Sequence, residues 1–133
     1  MILVDSSVWI DFLHGTSNAQ TERLSRWLDA AQADIGVADL VVFEVLRGFR
    51  HAQDYARARR LLLALDVVEI GGLANALAAA EHYRALRAVG HTIRSPIDVL
   101  LASYCITHGH LLLHRDGDFD VLETLRGLRV WRH

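Results

Sequence analysis

The pattern of apolar and polar positions along the chain predicts short strands alternating with helices. Apolar runs bounded by polar or glycine residues predict buried strands at residues 2–4, 34–38, 67–70, 111–113 and 128–131. Apolar residues at helical spacing predict helices at residues 8–13, 19–33, 40–49, 51–65, 73–88, 96–108 and 121–125. Because such strands are joined by crossovers, we expect an α/β fold with a mainly parallel sheet and helices on both faces.

Composition is consistent with one domain spanning residues 1–133. Hydrophobic residues make up 52% of the chain and the mean hydropathy is +0.19, which is sufficient for a substantial core. No apolar run approaches the roughly 20 residues of a membrane span, and residues 1–20 lack a signal-peptide pattern, so we expect a cytoplasmic protein without membrane contact. The single cysteine, Cys105, excludes an intramolecular disulfide and is expected in the core.

The charge balance excludes a protein that binds nucleic acid through a general basic field. The net charge is −2, and every basic residue other than histidine is arginine. Any contact with nucleic acid must therefore be local. The arginines of the predicted helix at 51–65, Arg57, Arg59 and Arg60, form either a solvated face or a contact with an RNA backbone.

Asp5 is the first candidate for chemistry, because it directly follows the first predicted strand. Ser6 or Ser7 is the expected N-cap of the helix that comes next. Asp5 would then lie at the carboxyl edge of a parallel sheet, where ligands of such folds bind. The alternative is that Asp5 merely helps to cap the helix.

Glu44 is a second candidate, because it interrupts an apolar helix. Burying an unpaired carboxylate is unfavourable by several kcal/mol, so Glu44 should be exposed, paired with an arginine or bound to a metal. Arg47, three residues later, and Arg50 are the candidate ion-pair partners.

Asp98 and Asp116 complete the set of candidate acids. Asp98 falls in the first turn of the helix that Ser95 and Pro96 begin. A carboxylate at this position is also stabilised by the helix dipole. Asp116 follows the predicted strand at 111–113. The predicted topology can therefore bring all four acids to one rim of the sheet. Clustered carboxylates repel one another unless a divalent cation neutralises them, and oxygen ligands favour Mg²⁺ or Mn²⁺ over zinc.

Four segments in this order and spacing resemble the PIN-domain ribonucleases of the VapC toxin type, over essentially the whole chain. They are Val-Asp-Ser-Ser-Val-Trp at 4–9, Phe-Glu-Val-Leu-Arg-Gly at 43–48, Arg-Ser-Pro-Ile-Asp-Val-Leu-Leu-Ala at 94–102 and Leu-His-Arg-Asp-Gly-Asp-Phe-Asp at 113–120. The resemblance implies a three-layer α/β/α sandwich of the PIN type. It also implies the toxin of a type II toxin–antitoxin pair, which forms a homodimer, cleaves RNA endonucleolytically and is blocked by a VapB-like antitoxin.

The resemblance also assigns roles to the acids. Asp5 and Asp98 would be the chief ligands of Mg²⁺, with Mn²⁺ as a substitute, while Asp116 and Glu44 would complete the site, partly through water. Of the three acids in the last segment, Asp116 is preferred as a metal ligand and Asp118 is next. Further candidates for supporting or phosphate contacts are Ser6 and Arg115.

The sequence offers structural explanations for the remaining acid of the last segment and for most of the nearby histidines. Asp120 is expected to cap the last helix. His114 stands where the family often has a small hydroxyl residue, so it either contacts RNA or packs in the core. A zinc site formed by His108, His110 and His114 is not favoured, because no matching acid or cysteine spacing accompanies them.

The first helix is crowded with apolar side chains, which predict either core packing or a groove for a second copy or an antitoxin. They are Trp9, Ile10, Phe12 and Leu13. Among other classes of protein, a phosphoacceptor receiver domain would need a lysine, and a haloacid-type phosphatase would need an acid at position 7, where this chain has Ser7. The remaining alternative is a non-catalytic PIN-like module that binds RNA or serves as a scaffold.

Overall fold

A computed structural model describes residues 1–31 and 33–132 of the chain. In these residues five strands alternate with seven helices. The strands are β1 (Ile2–Val4), β2 (Ile35–Ala38), β3 (Asp66–Val68), β4 (Leu111–Leu113) and β5 (Arg129–Val130). The helices are α1 (Ser6–Leu13), α2 (Ala19–Ala30), α3 (Asp39–Leu46), α4 (Ala52–Leu63), α5 (Leu73–Ala88), α6 (Pro96–His108) and α7 (Asp118–Arg126).

The strands form one sheet in the order β3-β2-β1-β4-β5, and each neighbouring pair is parallel. Helices α1 to α4 contact one another, and α5, α6 and α7 form a second contacting group. These two groups cover opposite faces of the sheet, which confirms the expected three-layer α/β/α sandwich. No helix among the described residues has the length and apolar character needed to cross a membrane.

The centre of the sheet supplies the core of the protein. Leu3 and Val4 of β1 are fully buried, as are Leu112 and Leu113 of β4. The two strands are paired along their whole length, from Ile2 opposite Leu111 to Val4 opposite Leu113. The largest fully buried side chains packed around this centre are Trp9 and Phe119, and the predicted core cysteine, Cys105, is buried as well.

The strand order reverses between β1 and β4. From β1 the chain moves outward through β2 and β3, then returns across the sheet to β4 and continues to β5. The loops that leave β1 and β4 therefore diverge, and open α/β sheets bind ligands in the crevice at such a point. Asp5 follows β1 and Asp116 lies in the loop after β4, so both residues are expected at this crevice.

Two side chains connect the exit of β3 to neighbouring helices. The Asp39 Oδ1 atom accepts hydrogen bonds from the backbone N–H groups of Leu40, at 2.9 Å, and Ile70, at 2.8 Å. Asn75 Nδ2 donates to the carbonyl oxygens of Ile70, at 2.8 Å, and Leu100, at 2.9 Å. Because Leu100 lies in α6, this link helps to hold the helix that carries Asp98.

The expected caps of two helices were wrong. Helix α1 begins at Ser6, so the N-cap position is occupied by Asp5 and not by Ser6 or Ser7. Helix α7 begins at Asp118 with Gly117 at the N-cap position, so Asp120 lies inside the first turn and does not cap the helix. In both cases the chain enters the helix sooner after the strand than local side-chain preferences indicate.

Candidate active site

Asp5 lies directly after β1, at the carboxyl end of the strand, and its side chain is only 3% exposed. Its backbone N–H donates to the carbonyl oxygen of Leu113 at 2.9 Å, which fixes it beside the end of β4. The Oδ2 atom accepts a hydrogen bond of 2.6 Å from the Ser7 hydroxyl. The side chain makes no capping hydrogen bond to α1, although it occupies the N-cap position. A capping hydrogen bond therefore does not satisfy this carboxylate.

The other carboxylate oxygen of Asp5, Oδ1, is buried. Within residues 1–31 and 33–132, no hydrogen-bond partner reaches its Oδ1 atom. Burial raises the pKa of Asp5, whereas the Ser7 hydroxyl and the backbone N–H groups of Ser6 and Ser7 lower it, and the nearby charge of Asp116 raises it slightly. A carboxylate with a free, desolvated oxygen is prepared to bind a cation.

Asp98 is the electrostatic centre of the site. It is 7% exposed in the first turn of α6, where the Ser95 hydroxyl accepts a hydrogen bond of 3.4 Å from its backbone N–H and Pro96 is the first helical residue. Burial, together with the charges of four other carboxylates, raises the pKa of Asp98 to about 7. In decreasing order of influence they are Asp5, Asp116, Glu44 and Asp118. The structure therefore brings the predicted acids together around Asp98.

Glu44 approaches this group from α3 and is half-buried. Burial raises its pKa and so does the charge of Asp5, whereas the Ser6 side chain and Arg47 lower it. Its Oε1 atom is buried and has no hydrogen-bond partner in the described part of the chain. The guanidinium of Arg47 lies over the ring of Phe43, 5.2 Å from its centroid. An ion pair with Arg47 therefore does not account for Glu44.

The loop after β4 carries Asp116 and folds back on itself. The backbone N–H of Asp116 donates to Nδ1 of His114 at 3.2 Å, and the Oδ1 atom of Asp116 accepts from the backbone N–H of Asp118 at 2.9 Å. Asp116 influences the pKa of both Asp5 and Asp98. The charge of Asp118 also raises the pKa of Asp98, whereas Asp120 is exposed.

His114 is the residue of this site whose role the sequence left open. Its ring packs against Phe119 with the centroids 4.8 Å apart, and burial lowers its pKa. The other two histidines of the rejected zinc site stack on each other, with 5.8 Å between the centroids of His108 and His110. The signal that could have identified His114 is its position between a buried strand and an acid.

Ser6 and Arg115 are the remaining predicted residues. Ser6 is the first residue of α1 and influences the pKa of Glu44, which places it among the acids. Arg115 is exposed, and its guanidinium forms an ion pair of 3.4 Å with Asp11. Arg115 directly precedes Asp116 and lines the same cavity.

The donor atoms fit a hard divalent cation. They are carboxylate oxygens, and two of them, Asp5 Oδ1 and Glu44 Oε1, are buried without partners in the described residues. No three acidic, histidine or cysteine side chains among those residues stand close enough to enclose an ion as they lie. Repulsion between these carboxylates adds to burial in raising the pKa of Asp98, and a cation bound among them would relieve it.

Comparison with known proteins identifies the family. The sequence profile of the PIN domain matches residues 2–125. Ribonuclease VapC11 of Mycobacterium tuberculosis is 33% identical over 130 residues, which are 98% of this chain and 97% of the relative. The chain belongs to the VapC family of PIN-domain proteins. VapC ribonuclease Mb1587 of Mycobacterium bovis matches with the same identity and coverage.

A solved structure agrees with this assignment at the level of the fold. A chain of VapBC2 from Rickettsia felis, solved with a DNA fragment from its promoter, superposes with a TM-score of 0.77 and 16% identity. The match covers 99% of this PIN domain and 100% of that chain. The family resemblance predicted from four sequence segments is confirmed.

The raised pKa of Asp98 leads to a prediction about the metal-free protein. Because the folded state binds a proton more tightly than the unfolded state between about pH 4 and pH 7, stability should fall as the pH rises through this window. Asp98→Asn removes the charge, so at pH 8 it should be more stable than the wild type by about 1–3 kcal/mol, with little difference at pH 4. Urea denaturation in EDTA at both pH values measures this.

The matched control is Asp29→Asn, an exposed acid of α2. It should change the free energy of unfolding by less than about 0.5 kcal/mol at either pH, because its side chain lies in solvent. A destabilised Asp98→Asn variant at pH 8 would contradict the repulsion described here.

Proposed function

We propose that this protein is the toxin of a type II toxin–antitoxin pair and a divalent-metal-dependent endoribonuclease. The observation that carries the proposal is the burial of Asp98 among the carboxylates of Asp5, Glu44 and Asp116 at the carboxyl edge of the sheet. Four neighbouring carboxylates destabilise the fold unless they bind a cation. The VapC relatives, which are named ribonucleases, support RNA as the substrate.

Asp5, Asp98 and Asp116 are the residues that would hold Mg²⁺ or Mn²⁺. The ion would neutralise the carboxylates, lower the pKa of a water molecule and stabilise the charge that develops on the phosphate. Ser7 keeps the Asp5 carboxylate in place through its hydroxyl. Glu44, with its unpartnered oxygen, would accept a proton from the attacking water. The Ser6 side chain would stabilise the charged form of Glu44. Asp118 is the alternative to Asp116 as a metal ligand.

The ribonuclease proposal predicts that Asp98→Asn abolishes cleavage in a folded protein, with a loss of at least about 100-fold. The loss follows because the amide cannot supply the charge that binds the cation. The experiment incubates wild type and variant with total cellular RNA, with and without Mg²⁺, and sequences the new RNA ends. Asp29→Asn is the control and should cleave like the wild type.

Full activity of folded Asp98→Asn would overturn the assignment of the site. A wild-type protein that binds neither Mg²⁺ nor Mn²⁺ in a calorimetric titration, and cleaves no RNA, would favour the non-catalytic PIN-like module. RNA ends that appear equally in EDTA would contradict metal dependence.

A VapB-like antitoxin is the proposed protein partner. Within the crowded first helix, Trp9 is fully buried in the core, whereas Leu13 lines a cavity of about 340 Å³ between α1, the end of α3 and α4. This α1–α4 groove also contains Phe49, Arg50 and Arg57. Its two arginines outnumber its one acid, Asp54, so apolar and basic side chains together fit a segment that is apolar and acidic.

Charge reversal in the α1–α4 groove should weaken the antitoxin complex. Arg57→Glu is expected to lower the affinity for the antitoxin by at least about tenfold, because it places a like charge against an acidic segment. Isothermal titration calorimetry measures the affinity. Arg59→Glu, also exposed on α4 but outside the groove, should leave the affinity nearly unchanged. Equal effects of both variants would contradict this site.

A homodimer is the proposed assembly, and α5 and α6 offer a surface for it. Leu73 is 76% exposed and Leu77, one turn later on the same face of α5, is 62% exposed. An apolar cavity of about 390 Å³ opens between the two helices and is lined by Tyr83, Pro96 and Leu100, among others. Exposed apolar surface of this kind favours association with a matching surface.

Leu77→Glu should convert the dimer to a monomer without unfolding it, because the side chain is exposed in the single chain and a dimer would bury it. Light scattering coupled to gel filtration measures the mass. Leu63→Glu, an exposed apolar residue of α4, is the control and should leave the dimer intact. A Leu77→Glu variant that remains dimeric would exclude this face.

A further inference from the structure

We propose that the cavity beside Asp116 is a subsite for a nucleotide that flanks the scissile phosphate, and that His114 helps to select its base. The cavity has a volume of about 310 Å³. Its lining includes His114, Arg115, Asp120 and Arg132, together with Asp116. The inference rests on the proposed ribonuclease function, since it extends that acidic site along the path of the substrate.

The cavity is continuous with the acidic site through Asp116. This residue lines the cavity and at the same time acts electrostatically on Asp5 and Asp98. An RNA strand whose phosphate lies at the acids would therefore bring a neighbouring nucleotide to the cavity. Single-stranded RNA presents its bases for contact in this way, unlike a duplex.

His114 is fixed in one orientation at the cavity wall. Its Nδ1 atom accepts the hydrogen bond from the Asp116 backbone N–H, and its ring is packed against Phe119. In a neutral imidazole whose Nδ1 is an acceptor, the proton lies on Nε2, which is a donor. The side chain thus offers a base both an aromatic ring for stacking and one directional N–H group.

The arginines of the cavity can bind a backbone phosphate. Arg115 is paired with Asp11 and Arg132 with Glu123, and both guanidinium groups are substantially exposed. Exposed ion pairs contribute little to stability, so a phosphate, which accepts two hydrogen bonds from one guanidinium, can replace the carboxylate partner.

Acidic groups in the same cavity favour a base over a second phosphate. Asp120 is exposed and lines the wall together with Glu123. These carboxylates repel a phosphate but accept hydrogen bonds from the amino group of a base. The combination predicts that the base enters the cavity while its phosphate stays near the arginines.

The test uses His114→Asn, because the Oδ1 atom of asparagine takes the place of Nδ1 and keeps the acceptor for the Asp116 N–H. The variant lacks the ring and the Nε2–H donor. Wild type and variant are incubated with total cellular RNA and Mg²⁺, and the new ends are sequenced. We expect the base preference at one position next to the cut to change by about fivefold or more, the scale of a lost stacking contact.

The control is His108→Asn at the far end of α6, about 15 Å along the helix from Asp98, which should leave the preference unchanged. A second variant, Arg132→Gln, should raise KM for a cleaved oligonucleotide by about fivefold while kcat changes less, because the exposed arginine contributes to binding.

A uniform fall in kcat for His114→Asn with an unchanged base preference, or an unchanged KM for Arg132→Gln, would overturn the subsite. Loss of antitoxin affinity in His114→Asn with normal base preference would also overturn it and would assign the cavity to the antitoxin. If the wild type itself shows no metal-dependent cleavage, the proposed function fails, which is a different result from intact cleavage with an unaltered preference.

Discussion

The parallel pairing of the buried strands β1 and β4 is the constraint on which the rest of the structure depends, and it places buried carboxylates where the two strands end. The hydrogen bond from the Asp5 N–H group to the Leu113 carbonyl oxygen joins these strands at their carboxyl ends. The acidic site therefore begins where the buried strands of the core end. Desolvation and repulsion make this arrangement unfavourable in the absence of a cation. The divalent ion proposed above would offset this loss of stability.

The surroundings of the acids consist of short-range contacts that limit their movement. Ser7 holds one oxygen of Asp5, Ser95 caps the helix of Asp98, and His114 accepts the backbone N–H of Asp116. None of these contacts neutralises a charge. Of the three, only the Ser7 hydroxyl contacts a carboxylate, and it leaves Asp5 Oδ1 without a hydrogen-bond partner among the described residues.

Much of the fold was predictable because the signals are local. The span of α5, residues 73–88, and that of β4, residues 111–113, follow from alanine-rich and leucine-rich segments with clear ends. The start of α6 follows from Ser95 and Pro96. The caps of α1 and α7 were less predictable, because Asp5 and Gly117 occupy these positions as a result of where β1 and β4 end.

The sequence by itself determined the α/β class and the family, and it predicted which acids form the site, since these depend on residue type, order and spacing along the chain. Only the tertiary structure decided which contacts those acids make. It placed Asp5 at the N-cap of α1 without a capping hydrogen bond, left Glu44 without an ion pair to Arg47 and placed His114 between Phe119 and the backbone of Asp116. The physical reason is that burial and charge repulsion depend on distances between residues far apart in the chain, which local patterns do not specify.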